Sequence, residues 1–196
     1  MQVSSYTEKS SSTARIIMIY VSEIQTTAPK AFKTVLQEKV YSAFSTLGIP
    51  FQRVDTDEII TMEDCASVDE KLDMEMVKTL FLCNQHKTDF YLFITLGNKP
   101  FRSKDFSKAL NVARVSFAPA ELMEEMLGTK IGAATILSVL LPTARNVKIV
   151  IDEEVASKEY YGCSDGTTTG YLKVKTADIT QKLLPFAKAG YFIITV

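Results

Sequence analysis

The sequence predicts a mixed α/β fold of the α+β kind, a single domain in which a mixed, partly barrel-like β-sheet is wrapped by helices. Three observations lead there. Of 196 residues, 46% are hydrophobic and 23% charged, the balance of one globular domain able to bury roughly two-thirds of its unfolded surface. Apolar β-branched and aromatic runs are interleaved irregularly with segments of helical period, without the strict strand-helix repeat of a doubly wound parallel sheet. Two of those runs are neighbours joined by a short polar turn, which adds a hairpin and therefore antiparallel pairing.

The elements follow in order. Residues 1–14 are rich in Ser and Thr and lack apolar periodicity, so a flexible arm is expected there and the domain is expected to span 15–196. Arg15 to Val21 is a β-branched apolar run, hence a strand. After Pro29, Phe32, Val35, Leu36, Val40, Phe44 and Leu47 recur at helical spacing and predict one amphipathic helix ending at Gly48-Ile49-Pro50. Phe51 to Val54 is a short strand. Thr61-Met62-Glu63-Asp64 matches an N-terminal capping pattern, so a short helix follows it. Thr79 to Cys83 and Phe90 to Leu96 form the hairpin around the turn Asn84 to Asp89. Ala113 to Ala118 is a strand, and Pro119-Ala120-Glu121 opens a helix closed by Gly128. Strands at Val147 to Ile151, Tyr171 to Val174 and Tyr191 to Thr195 complete the set, with a helix from Thr176 to Lys188 that Pro185 should kink.

Charge and composition exclude several functions. With 22 Lys+Arg against 23 Asp+Glu the net charge is -1, which is not that of a uniformly basic nucleic-acid binder. The charges are nevertheless segregated. Nine acids and one base lie between Asp55 and Glu75, a stretch that repels phosphate. Five bases (Lys99, Arg102, Lys104, Lys108, Arg114) and one acid lie between Lys99 and Arg114, with Lys130 further on. That run is either a phosphate-binding face or simply a solvated one. Three scattered cysteines and one histidine, without a C-x-x-C pair, argue against a disulfide framework or a structural zinc site, and for a reducing cytosol. The longest early apolar run has six residues, short of the roughly 18 of a membrane span, so a cytoplasmic protein with no membrane partner is expected.

The chain lacks G-x-G-x-x-G, G-x-x-x-x-G-K-[ST], H-E-x-x-H and G-x-S-x-G, and with them sequence support for dinucleotide, P-loop, zincin and α/β-hydrolase chemistry. His86 sits in a polar turn and reads as a solvated surface residue. Cys163 falls in Tyr161-Gly162-Cys163-Ser164-Asp165-Gly166, a segment rich in turn formers that reads as a loop. No cation adjoins it to lower its pKa, so a spectator thiol is favoured over a nucleophile. Thr167-Thr168-Thr169-Gly170 offers hydroxyls and amides for a polar pocket, or for an ordinary turn. Lys78 heads an apolar strand, and Gly128-Thr129-Lys130-Ile131-Gly132-Ala133-Ala134-Thr135 is a Gly/Ala turn.

Taken in order, Lys78-Thr79-Leu80-Phe81-Leu82, Tyr91-Leu92-Phe93, Arg114-Val115-Ser116-Phe117-Ala118, Leu122-Met123-Glu124 to Leu127-Gly128, and Gly132-Ala133-Ala134-Thr135 resemble the YbaK/prolyl-tRNA-synthetase-associated editing-domain family. The likeness runs from about Phe32 to the C-terminus and is greater to the freestanding prolyl-tRNA deacylase branch. It implies a trans-editing deacylase that hydrolyses the ester of a wrong amino acid on the terminal adenosine of tRNA, alanine on a proline tRNA being that branch's usual substrate. It implies no cofactor and no metal, with the tRNA acceptor end as partner and prolyl-tRNA synthetase as a further one. Lys78 matches the family lysine that places charge near the ester. Gly132 matches the glycine whose amide faces the carbonyl, where a side chain would crowd the substrate. Ala133 and Ala134 fall at a small pocket floor that excludes larger amino acids. Thr79, Ser116, Phe117, Ala118, Ser164, Thr168 and Thr169 fall at substrate-binding positions, and Lys99, Arg102, Lys104, Lys108 and Lys130 become tRNA contacts.

Two departures from the family pattern stand out. Ile136 occupies the place of the proline in Gly-x-x-x-Pro, and Ser164-Asp165 occupy that of a His-Pro pair. Serine donates a hydrogen bond but does not carry a proton near neutral pH as imidazole does. The alternatives are therefore a tRNA-end or synthetase-binding module with weak hydrolysis or none, and a small-molecule hydrolase using Cys163, which requires a depressed thiol pKa.

Overall fold

The computed structural model describes residues 19–196. The expected arm (1–14) and the first four residues of the expected strand Arg15–Val21 lie outside the described residues. Within the rest of that run, Val21 makes an isolated antiparallel bridge with Thr56.

Helix α1 (Val35–Leu47) begins later than the apolar pattern suggests, because Thr34 adopts an extended conformation and its hydroxyl accepts from the Gln37 N–H. Gln37 answers by accepting from the N–H of Lys33 at 2.7 Å, a reciprocal cap that keeps Phe32 outside the helix. Gly48 closes it in the left-handed conformation, φ 60°. The stripe Leu36, Val40, Tyr41 and Phe44 is buried, each such side chain contributing roughly 1.5–3 kcal/mol. Strand β1 (Gln52–Asp55) follows. Thr61 and Asp64 then cap each other, the Asp64 N–H donating to Thr61 Oγ1 and the Thr61 hydroxyl to Asp64 Oδ2 at 2.8 Å, ahead of α2 (Ala66–Leu72).

Strands β2 (Val77–Asn84) and β3 (Phe90–Leu96) form the expected antiparallel hairpin. The basic run then yields an element the sequence reading left unassigned, α3 (Ser103–Leu110), whose Phe106 is buried against Phe93 and Tyr91. Strand β4 (Val115–Phe117) is half as long as expected and pairs only with residues 82–84 of β2. Helix α4 (Ala120–Leu127) runs from Pro119 to Gly128, φ 64°. Strand β5 (Val147–Asp152) lies parallel to β3, followed by the single turn α5 (Glu153–Ala156).

The stretch read as a loop around Cys163 is a strand, β6 (Tyr160–Ser164). Its Gly and Ser are no turn signal. Gly162 packs against Met74, whose methyl a Cβ there would meet at 1.5 Å and displace, while Tyr161 and Cys163 are buried. The turn starts only at Asp165 and leads into β7 (Gly170–Lys175). The last helix, α6 (Thr176–Asp178), widens to π spacing over Ile179–Leu183 and returns to α over Leu184–Phe186, accommodating Pro185 without ending. Strand β8 (Tyr191–Ile194) closes the chain parallel to β5.

The strands form two sheets, an antiparallel one in the order β1-β7-β6 and a mixed one in the order β4-β2-β3-β5-β8. They touch through one parallel bridge, Met76 to Gly162, and do not close into a barrel among the described residues. The main core lies between the two sheets, α1 and α6; α2 covers a second core against β1 and β7, and α3 a third on the far face of the mixed sheet. Among the described residues no helix is long and apolar enough to cross a membrane.

Candidate functional site

The site arises where pairing stops. The Ala118 N–H donates to the Phe81 carbonyl at 2.9 Å, and β4 ends there. Backbone groups alternate sides along a strand, so Thr79, two residues before Phe81, directs its N–H and C=O toward the same side, where no strand covers them. On β6, the Asp165 N–H donates to Gly170 O at 2.9 Å, so Ser164 turns its backbone groups the other way, toward β2. Strands β2 and β6 meet at Met76–Gly162 and then splay.

A cavity of about 390 Å³, in the size range of small-ligand sites, fills the opening. Lys78, Thr79, Phe117, Ala118, Gly132, Ala134 and Ser164 all line it. Apart from Thr61 and Tyr171 the rest of its wall is apolar, with Ile59, Met62, Met76 and Met123 among it. Sequence reasoning missed these, because an apolar side chain at a cavity wall and one in a core share the same pattern. The signal available was the Thr61–Asp64 cap, which fixes the 59–62 segment beside them.

Lys78 is half-buried, and burial lowers its pKa below the ordinary lysine value. Its Nζ donates to the main-chain carbonyl of Lys99. Lys99 is in turn held by the fully buried Asp152 at 2.9 Å and by Glu154 at 2.6 Å. Burial lowers the Lys99 pKa, but the hydrogen bonds to Glu154 and Asp152 outweigh it and the net direction is upward. Lys99, expected among the tRNA contacts, thus spends its charge inside the protein.

Gly132 has φ +88°, and a Cβ there would lie 2.9 Å from the Ile60 Cα. The close approach of two backbone segments, with the positive φ, is therefore enough by itself to call for glycine here. Its N–H donates to no group among the described residues. Ala134 lines the cavity, whereas Ala133 is buried and does not, so only one of the two expected floor residues reaches it.

The expected polar contributors divide. The Ser164 hydroxyl donates to Thr167 O at 2.6 Å and accepts from the Gly166 N–H at 3.0 Å, so its proton is committed to the turn. Thr168 and Thr169 do not line the cavity. Their carbonyls accept from Ile59 and Thr56, stapling the 56–59 wall to β7. Ser116 is exposed on β4 outside the cavity. Arg102, Lys104, Lys108 and Lys130 are exposed. His86 is exposed in the hairpin turn and does not line the cavity. Burial pushes the Cys163 thiol up to about 12, the reverse of what a nucleophile needs, which removes the Cys163 hydrolase reading. Among the described residues no three His, Cys, Asp or Glu side chains gather as metal ligands do.

The sequence model of the aminoacyl-tRNA editing domain matches residues 56–182. The prolyl-tRNA synthetase associated domain-containing protein 1 of Danio rerio is 23% identical over 150 residues, covering 76% of this chain and 81% of that protein. The crystal structure of a hypothetical protein superposes with a TM-score of 0.61 at 19% identity, covering 80% of this chain and 98% of the other. The crystal structure of a candidate trans-editing enzyme for prolyl tRNA synthetase superposes with a TM-score of 0.59 at 16% identity, covering 84% and 99%. At these identities the superpositions attest the fold.

Proposed function

This chain belongs to the aminoacyl-tRNA editing domain family, and from that premise we propose that it is a trans-editing deacylase that removes alanine wrongly attached to proline tRNA. The observation that carries the reading is the convergence of Lys78, Gly132 and Ser164 on one open, mostly apolar cavity.

An aminoacyl ester is labile, so the protein has mainly to hold the 3′ end, bind the developing oxyanion and admit water. The water oxygen bonds to the ester carbonyl carbon, the bond to the ribose oxygen breaks, and that oxygen takes a proton, leaving free alanine and tRNA. The unpartnered Gly132 N–H donates to the oxyanion, and so does Lys78, which has two N–H donors beyond the one given to Lys99. In a cavity with apolar walls these contacts are worth more than in water. The adenosine 2′-hydroxyl assists the attacking water. Ala134 and the methionine walls admit a methyl side chain more readily than a larger one, the discrimination that size allows. The tRNA acceptor end is the partner, prolyl-tRNA synthetase a second, and a reducing cytosol the setting.

One observation favours a second reading, a tRNA-end-binding module without efficient hydrolysis: Ser164 has no free proton to give and no base to offer. Single-turnover hydrolysis of alanyl-tRNA specific for proline, beside prolyl-tRNA, decides between them. Fast loss of alanine with proline spared is expected. Binding of both without hydrolysis would establish the second reading instead.

A further inference from the structure

Strand β4 joins two distinct cavities. At its C-terminal end Phe117 is 63% exposed at the rim of the apolar cavity, with its ring edge-on to Phe101 at 5.6 Å. Just before its N-terminal end, Arg114 lines a separate open cavity together with Arg102, Ser103, Lys104 and Ser107. No carboxylate lines that second cavity, and none of its three cations forms an ion pair among the described residues. The hydroxyls of Ser103 and Ser107 donate to the carbonyls of Val115 and Ala113, tying the start of α3 to β4. The Ser103 and Lys104 N–H groups have no acceptor among the described residues, and no side chain caps this helix. At about 3.3 Å per residue, Arg114 stands roughly 10 Å from Phe117.

An exposed aromatic face beside a substrate cavity, followed at that distance by unpaired cations and free amides, matches single-stranded nucleic acid, which presents bases to stack and phosphates to neutralise. We propose that β4 is the track of the single-stranded 3′ end of the tRNA, with Phe117 stacking on a base at the cavity mouth and Arg102, Lys104 and Arg114 cradling the phosphodiesters upstream. The inference deepens the deacylase reading and rests on it only for the identity of the RNA. It assigns the basic run a specific part, in which Lys99 has none, and turns an apparently misplaced surface phenylalanine into a contact.

The test is fluorescence anisotropy with a fluorescein-labelled RNA tetranucleotide carrying the tRNA 3′ sequence and a free terminal adenosine, titrated from 50 to 200 mM salt. Arg102→Ala/Lys104→Ala/Arg114→Ala is expected to weaken binding at least tenfold at low salt and to flatten the log–log salt slope by about 2, at about 0.7 per phosphate for three phosphates. Phe117→Leu, which keeps an apolar side chain against Phe101 but offers no ring, is expected to weaken binding about tenfold with the slope unchanged, and Phe117→Tyr to restore it. No binding by the wild type, or variants with its affinity and slope, would overturn the proposal. Because binding is read without hydrolysis, a bound tetranucleotide with no deacylation would remove the deacylase reading alone, and deacylation with unperturbed variant binding would remove this one alone.

Discussion

The ammonium of Lys78 hydrogen-bonds the main-chain carbonyl of Lys99, so the lysine that borders the cavity is anchored by the loop after β3 rather than left to its own rotamers. A held cation acts on an oxyanion without first being ordered. Lys78→Ala should therefore lower single-turnover deacylation on the order of 100-fold, the usual effect of losing one oxyanion donor, without lowering the melting temperature. Full activity in the variant would take the lysine out of the mechanism.

Burial lowers the pKa of Lys78, which sets a pH dependence with a definite sign. The active form is protonated, so deacylation corrected for the uncatalysed reaction should decline at alkaline pH with a midpoint below the ordinary lysine value of 10.5. Lys78→Arg, charged throughout, should abolish that decline. Stability moves the opposite way: the buried charge costs stability below the folded pKa, and the cost is relieved as pH rises from there toward 10.5. A midpoint at or above 10.5 would contradict the link between activity and the buried amine.

Lys99 is expected to matter for structure rather than for RNA. Its Nζ is the cation facing the buried Asp152, which also accepts from the Thr95 hydroxyl at 2.7 Å. Lys99→Ala leaves that carboxylate without its cation and should cost about 3 kcal/mol in urea unfolding. Since its charge is already spent, the salt slope of tRNA binding should not change. A flatter slope at unchanged stability would return Lys99 to the phosphate-binding face.

Gly132→Ala tests the cavity wall. The substitution combines a positive φ with a Cβ 2.9 Å from the Ile60 backbone, and main chain does not yield as a flexible side chain does. The expected outcome is a loss of about 1–3 kcal/mol in stability together with a drop in kcat as the 59–62 segment is pushed aside. A variant as stable as the wild type with normal kcat would mean that the wall moves freely.

What was legible in the sequence was whatever local chemistry determines. The α1 stripe, the β2–β3 hairpin and the Thr61–Asp64 cap are written in adjacent residues, and the structure has them where the pattern puts them. Strand β6 was not legible, because Gly162 fits against the Met74 methyl, a tertiary contact that no local pattern reports, and Ser164 bonds the turn after the strand and so reads as part of it. Helix α3 was hidden by its charges, since only Phe106 is buried along it. The cavity illustrates the same division. Lys78 and Gly132 are visible as unusual residues in an apolar context, whereas Met62, Met76 and Met123 become walls only once β2 and β6 splay.

Asp165 directly follows Ser164 of the cavity wall. The carboxylate is fully buried and accepts from four donors: Gln37 Nε2 at 2.7 Å and the Tyr41 hydroxyl at 3.0 Å on one oxygen, the Thr167 N–H at 3.2 Å and the Thr167 hydroxyl at 2.8 Å on the other. Burial first, and the charge of Asp165 second, push the Tyr41 hydroxyl well above its ordinary pKa, so it remains a donor throughout the accessible range. Both carboxylate oxygens must therefore be acceptors. Asp165→Asn keeps the shape but sets an NH₂ group against one of the two donor pairs, whichever way the amide is turned. The isosteric change should thus cost on the order of 3 kcal/mol, nearly as much as Asp165→Ala, where an ordinary buried carboxylate would tolerate its amide better. Urea denaturation of the two variants reads the comparison directly. Asparagine within about 1 kcal/mol of the wild type would show that the donors find other acceptors, and that α1 does not hold the turn behind Ser164 through this carboxylate.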